Sequence, residues 1–269
     1  MTNDTEHKTT KRSVPRRIER NIIAIASGKG GVGKTWFSVT LAHALARQGK
    51  RVLLFDGDLG LANVDVQLGL MAGRDISDVV EGHISLAQAI TPYDEGGFDI
   101  IAGRSGQAAL SALPLQRVNE ILKQLRILAA EYDVVLIDLG AGVDTSTRFM
   151  ASAAGTMIVV TTEDPTALTD AYALIKLSHA AGHADTAHVL INMASSEKGA
   201  ERTYHTLVKA CEKFLQLSPP GLGYIRQDKY VQGAIRAQTP LLTRYPNADA
   251  ATDIEAVAKR VAARIQSLA

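Results

Sequence analysis

Gly28-Lys29-Gly30-Gly31-Val32-Gly33-Lys34-Thr35 satisfies the pattern G-x-x-x-x-G-K-T, and its surroundings decide how the rest of the chain is read. Just before it, Ile22-Ile23-Ala24-Ile25-Ala26 is a short apolar run, which predicts a buried strand. Just after it, Lys34 to Arg47 carries Phe37, Leu41 and Leu45 at helical spacing and stops at Gly49. Strand, glycine-rich loop and helix in that order predict a phosphate cradle. Glycines let the backbone turn its N–H groups inward around phosphate oxygens, and the helix adds the positive end of its dipole. In such a cradle Lys34 neutralises the β- and γ-phosphates, and the Thr35 hydroxyl can ligate Mg²⁺.

Working outward, apolar runs recur at Arg51–Phe55, Phe98–Ala102, Val134–Ile137, Thr156–Thr161, His188–Ile191 and Gly223–Ile225. Helical patterns separate most of them, at Leu115–Ala130, Pro165–Ala180 and Glu197–Phe214. This alternation predicts an α/β fold: one doubly wound, mostly parallel sheet with helices on both faces and right-handed crossovers. No repeat or Pro/Gly-rich linker divides the chain, so residues 21–269 are read as one domain. Residues 1–20 are polar and locally basic (Lys8, Lys11, Arg12, Arg16, Arg17, Arg20) and are read as a flexible arm. Such an arm is a solvated tail or a contact for DNA phosphates, anionic lipid or a protein.

Two further strands end in carboxylates. Phe55-Asp56-Gly57-Asp58 closes the second strand, and Val134-Val135-Leu136-Ile137-Asp138 is a Walker B pattern. Carboxylates at the C-terminal ends of parallel strands stand beside the phosphate loop. Mg²⁺ needs few protein oxygens, and a nearby Asp can orient the attacking water. Asp138 is the candidate to hold Mg²⁺ through water. Val189-Leu190-Ile191-Asn192 ends in a side chain with both a donor and an acceptor, suited to an adenine edge.

Lys-Gly-Gly-Val-Gly-Lys-Thr at residues 29–35 resembles the deviant Walker A signature of the MinD/ParA class. The resemblance spans roughly residues 21–268. It implies that Lys29 reaches across an ATP-dependent homodimer to the partner's nucleotide. It makes Asp58 the water-orienting residue, Asp56 a second metal-side carboxylate and Asn63 a switch contact. It favours adenine reading by Asn192, with Arg226 and Asp228 in the segment that lines the base. Leu139-Gly140-Ala141-Gly142 is similar to the second switch, except that many relatives carry Ser or Thr where Leu139 stands.

Within the class, Asp58–Asp65, Asp138–Gly142 and Thr161–Lys176 look most like the flagellar-number regulators FlhG/FleN. That likeness implies a slow, partner-stimulated ATPase that governs the number or placement of flagella. An FlhF-like GTPase or a flagellar basal-body component is the implied activator. A ParA-like positioner of chromosome, plasmid, chemoreceptor array or organelle is the alternative. Residues 1–20 contain no Asp-Gln-Ala-x-x-Leu-type motif of the kind many FlhG proteins use on FlhF.

Other classes are disfavoured. An iron–sulfur carrier needs paired cysteines, and the chain has only Cys211. A net charge of +1 sets up no strong whole-chain field toward nucleic acid. No apolar run reaches membrane-spanning length, and residues 1–20 hold no signal-peptide core, so the expectation is a soluble, cytoplasmic protein, peripheral at most to the inner membrane or the cell pole. The last helical pattern, Ile254, Val257, Val261, Ile265 and Leu268, is read as a core-packing helix rather than a lipid anchor.

Overall fold

The computed structural model describes residues 19–58, 60, 62–70, 73–103, 113–182 and 186–268. Residues 1–18 of the basic arm, together with Leu59 and Leu61 of the first switch, lie outside the described residues. Among the described residues the strands are β1 (Glu19–Ser27), β2 (Val52–Gly57), β3 (Ile90–Tyr93), β4 (Phe98–Ile101), β5 (Val134–Ala141), β6 (Ala154–Thr161), β7 (Ala187–Ala194) and β8 (Gly221–Arg226). They form one sheet in the order β3-β4-β2-β5-β1-β6-β7-β8. Every described pairing is parallel except β3 with β4.

The helices are α1 (Lys34–Arg47), α2 (Val64–Leu68), α3 (Ile76–Val80), α4 (Leu115–Ala129), α5 (Thr145–Ala151), α6 (Pro165–Ala180), α7 (Glu197–Leu215), α8 (Lys229–Arg236), α9 (Leu241–Arg244) and α10 (Asp249–Leu268). The alternating residues of β1 show why both faces are covered. Ile22, Ala24 and Ala26 join a core with α4, α6 and α7. Ile23 and Ile25 join a second core with α1 and α10. A strand buried on both faces must be apolar throughout, which is why these strands read as continuous hydrophobic runs.

The expected doubly wound sheet is present. Sequence reading did not foresee β3, which contains Pro92. A proline weakens a strand pattern, yet an edge strand tolerates it, and β3 is the edge of this sheet. β1 starts at Glu19, so the strand takes in the last two residues assigned to the arm.

The C-terminal pattern packs inside. Ile254 and Val257 are fully buried and Val261 nearly so, in the same core as α1. No described helix is long and apolar enough to cross a membrane. Each of these three side chains contributes roughly 1.5–3 kcal/mol by burial. Together they weigh heavily against a whole-domain stability of about 5–15 kcal/mol. Removing residues 253–269 should therefore unfold or strongly destabilise the domain, as read by thermal melting. A truncation that melts like the intact chain and has lost liposome binding instead would make the helix a lipid anchor.

His43 on α1 is 5% exposed, and its Nδ1 finds no hydrogen-bond partner. Burial, aided by Arg47, lowers its pKa to about 4. The unfolded chain takes up a proton near pH 6.5 while the folded chain resists until about pH 4. Stability from this group is therefore complete above about pH 7. It falls with pH through that window by about 1.4 kcal/mol per unit. Urea midpoints of the wild type and His43→Gln at pH 7.5 and pH 5 test this. The wild type should lose about 2 kcal/mol more than the variant, and equal losses would refute the assignment.

Candidate nucleotide site

The phosphate loop runs from the end of β1 into α1. Gly33 has φ 81°, a left-handed conformation that suits glycine, and its carbonyl accepts a helical bond from Phe37 N–H at 2.9 Å. The loop is packed as well as turned. A Cβ on Gly28 would lie 2.2 Å from the Asp170 carbonyl oxygen on α6. Asn192 Nδ2, at the end of β7, donates to the Val32 carbonyl at 2.8 Å. Neighbouring elements on the β6–β7 side thus pack against and bond to the loop.

Below the loop, three donors converge on one carboxylate. Asp138 accepts from Lys34 Nζ at 3.1 Å, Thr35 Oγ1 at 2.7 Å and Ser38 Oγ at 2.7 Å. The residue is fully buried, and Lys34 is nearly so. Ser38 was not singled out by sequence. Only its place one helical turn past Lys34 could have suggested it. The parallel register sets Asp56 of β2 beside Asp138. Burial first, and repulsion from Asp138 second, raise the Asp56 pKa to about 7. Asp56 accepts N–H bonds from Asp58 at 3.1 Å and from Asn63 and Val64 at 3.2 Å each. Its side chain therefore organises the turn that carries Asp58 as well as standing beside the metal-side carboxylate. Asn63 precedes α2 as its N-terminal cap residue.

The segment after β2 and the end of β5 meet at Asp58. A Cβ on Gly140 would lie 3.4 Å from Asp58 Oδ1, an ordinary contact distance, so the carboxylate packs directly against the end of β5. Leu139, at the position where many relatives carry a hydroxyl, is instead fully buried in the α4-side core. Among the described residues no cluster of three His, Cys, Asp or Glu forms a metal cage. The oxygens at hand are Thr35 and Asp138, with Asp56 alongside, and that set fits Mg²⁺, which takes few protein ligands and completes its shell with water and phosphate.

Lys29 behaves unlike Lys34. Its ammonium pairs with Asp164 at 3.2 Å and donates to the Thr166 hydroxyl, both just before or within the first turn of α6. Both partners of the ion pair are about half exposed. Hydrogen bonds from the Thr166 hydroxyl and N–H, then from Lys29, lower the Asp164 carboxyl to about 2. Asp164 also caps α6 through Thr166 N–H at 2.7 Å. An Asp-x-Thr cap is visible in sequence, but its capture of Lys29 is not.

On the β7–β8 side, Gly33, Trp36, Asn192, Met193, Gln227 and Val231 line a pocket beside the loop, and Arg226 and Asp228 line it too. The side chains of the last two are committed elsewhere. Arg226 binds Asp253 through Nε at 2.8 Å and Asp249 through Nη1 at 2.9 Å. Asp228 caps α8 through Tyr230 N–H at 2.9 Å and accepts Ala250 N–H at 3.2 Å. These contacts tie the end of β8 to α10 and so shape the pocket.

The sequence matches the family model of the CobQ/CobB/MinD/ParA nucleotide binding domain over residues 23–241. It is 37% identical over 241 residues to the antiactivator FleN of Pseudomonas aeruginosa, covering 89% of this chain and 85% of that protein. It is 31% identical over 247 residues to the flagellum site-determining protein YlxH of Helicobacter pylori, covering 91% and 83%. The structure resembles the septum site-determining protein MinD of Pyrococcus horikoshii complexed with Mg-ADP, with a TM-score of 0.77 and 25% identity over 90% of this chain and 96% of that one.

The Lys34–Asp138 pair yields a two-part prediction. Lys34→Ala should abolish ATP binding in calorimetry. It should also lower the melting temperature without nucleotide, because breaking a buried pair costs about 3–5 kcal/mol by stranding the carboxylate. Adding Asp138→Asn should restore much of the stability and none of the binding. Unchanged ATP affinity in Lys34→Ala would refute the site, and a double variant as unstable as Lys34→Ala would refute the electrostatic account.

Proposed function

The chain belongs to the CobQ/CobB/MinD/ParA nucleotide-binding family, and from that premise we propose that it is an ATP-dependent dimerising switch ATPase controlling the number or placement of a cellular structure, with flagella as that structure. The observation that carries the ATPase reading is the meeting of Asp58 with Gly140 next to the Lys34–Thr35–Asp138 group. A carboxylate held where two switch segments touch is placed to respond to a γ-phosphate. The printed names of the two relatives, one an antiactivator and one a flagellum site-determining protein, support the flagellar part.

In this reading the loop binds the triphosphate and Lys34 neutralises its β- and γ-phosphates. Thr35 and Asp138 hold Mg²⁺, with Asp56 beside them, and the metal supplies charge neutralisation at the transferred group. Asp58 orients a water whose oxygen bonds to the γ-phosphorus as the bond to the ADP oxygen breaks. Asn192, fixed against the loop, stands at the base end, and Arg226 and Asp228 frame that end. Lys29 acts in a second copy of the chain. Its bond to Asp164 lies in water, where salt and solvent screen it, so a phosphate can outcompete it.

The sequence motifs around the phosphates contain no arginine to serve as a finger, so intrinsic turnover is slow and a partner raises it. An FlhF-like GTPase or a flagellar basal-body component is the proposed activator, and the basic arm a proposed contact for an anionic membrane or DNA. Asp58→Ala should keep ATP, slow hydrolysis and accumulate a dimer, while Lys29→Ala should stay monomeric with ATP. Light scattering with each nucleotide tests this, and a nucleotide-independent monomer for Asp58→Ala would reject the dimer.

A further inference from the structure

The pocket beside the phosphate loop has an aromatic wall that the phosphate chemistry does not use. Trp36 is the chain's only tryptophan, and it sits two residues after Lys34 on the first turn of α1. At 100° per residue, side chains two apart point to different sides of a helix. Lys34 turns to Asp138 of β5. Trp36 instead lines the pocket formed with Asn192, Met193 and Val231. Only 6% of Trp36 is exposed, so the indole is held by its surroundings rather than free to swing.

Met193 completes the apolar lining. It is a non-glycine residue at φ 53°, and it is 42% exposed. A left-handed methionine is strained, and such strain clusters at ligand clamps. Its Cε lies 3.1 Å from where a Cβ on Gly33 would stand, so its side chain rests against the loop. The pocket thus brings together an indole, a pliable thioether and the amide of Asn192, all beside Gly33 of the phosphate loop.

We propose that Trp36 is the specificity-determining residue for the base of the bound nucleoside triphosphate: the indole packs against a purine and gives it preference over a pyrimidine, with Met193 as the adaptable part of the same wall. This rests on the ATP reading above and goes beyond it by assigning base selection to a residue outside the phosphate motifs. Stacking on an aromatic side chain depends on π-surface, which is larger for a purine than for a pyrimidine.

The test is calorimetry of ATP, CTP and inorganic tripolyphosphate, each with Mg²⁺, on the wild type, Trp36→Phe and Trp36→Ala. Trp36→Ala should weaken ATP about tenfold, narrow its preference over CTP, and leave tripolyphosphate unchanged. Trp36→Phe, which keeps a flat ring, should lose only part of the effect. In the wild type, ATP should also shift the single-tryptophan emission and shield it from acrylamide, whereas tripolyphosphate should do neither. Equal weakening of ATP and tripolyphosphate would mean that Trp36 only supports the loop, and the proposal would fall. Tight wild-type ATP binding that neither variant alters would also overturn it. Absence of ATP binding in the wild type would overturn the ATP reading, and this proposal with it.

Discussion

A single buried carboxylate organises the site. Asp138 sits fully inside the domain, and an ionised group there is tolerated only when paired and hydrogen-bonded. It is satisfied by Lys34, Thr35 and Ser38, which all lie in the first turns of α1. The strand that ends in Asp138 is therefore bolted to the helix that begins at the phosphate loop. The loop's shape follows from that connection as much as from its glycines, because it must span a fixed gap between β1 and a helix already tied to β5.

Asp56 shows the cost of placing a second carboxylate alongside. Burial and the charge of Asp138 lift its pKa to about 7, while N–H groups of the first switch pull in the other direction. The bonds from Asp58, Asn63 and Val64 fold the chain after β2 back over Asp56. That turn delivers Asp58 to Gly140. The water-orienting candidate is thus placed by the carboxylate next to the metal side, so electrostatic change at one is felt by the backbone that carries the other.

Much of this was legible in the sequence because it follows from local rules. Apolar runs buried on both faces gave the central strands, and the strand-end Asp56 and Asp138 do lie side by side next to the loop lysine. The stripe of Ile254, Val257 and Val261 pointed to a packed helix, and those residues are indeed in the core. What escaped depends on contacts far apart in the chain. Ser38 bonds Asp138 at a separation of 100 residues, and Lys29 meets Asp164 at 135. Arg226 and Asp228 were legible by position but not by partner, since Asp249, Asp253 and Ala250 reach them from α10. Proline within β3 concealed an edge strand that only its neighbour's register reveals.

The two loop lysines show how burial divides one residue type into two roles. Lys34 is enclosed and faces a buried carboxylate, where removal of either charge strands the other. Its contact with Asp138 is therefore part of what holds β5 to α1. Lys29 is five residues away, half exposed, and paired with a carboxylate that solvent also reaches. Solvent screening makes such a pair exchangeable, and Asp164 keeps its capping bond to Thr166 whether or not Lys29 stays. An ammonium that can leave without unfolding anything is the kind that can be offered to a second copy of the chain. In the proposed function the enclosed lysine would serve the phosphates bound by its own chain, and the releasable one would make the dimer depend on them.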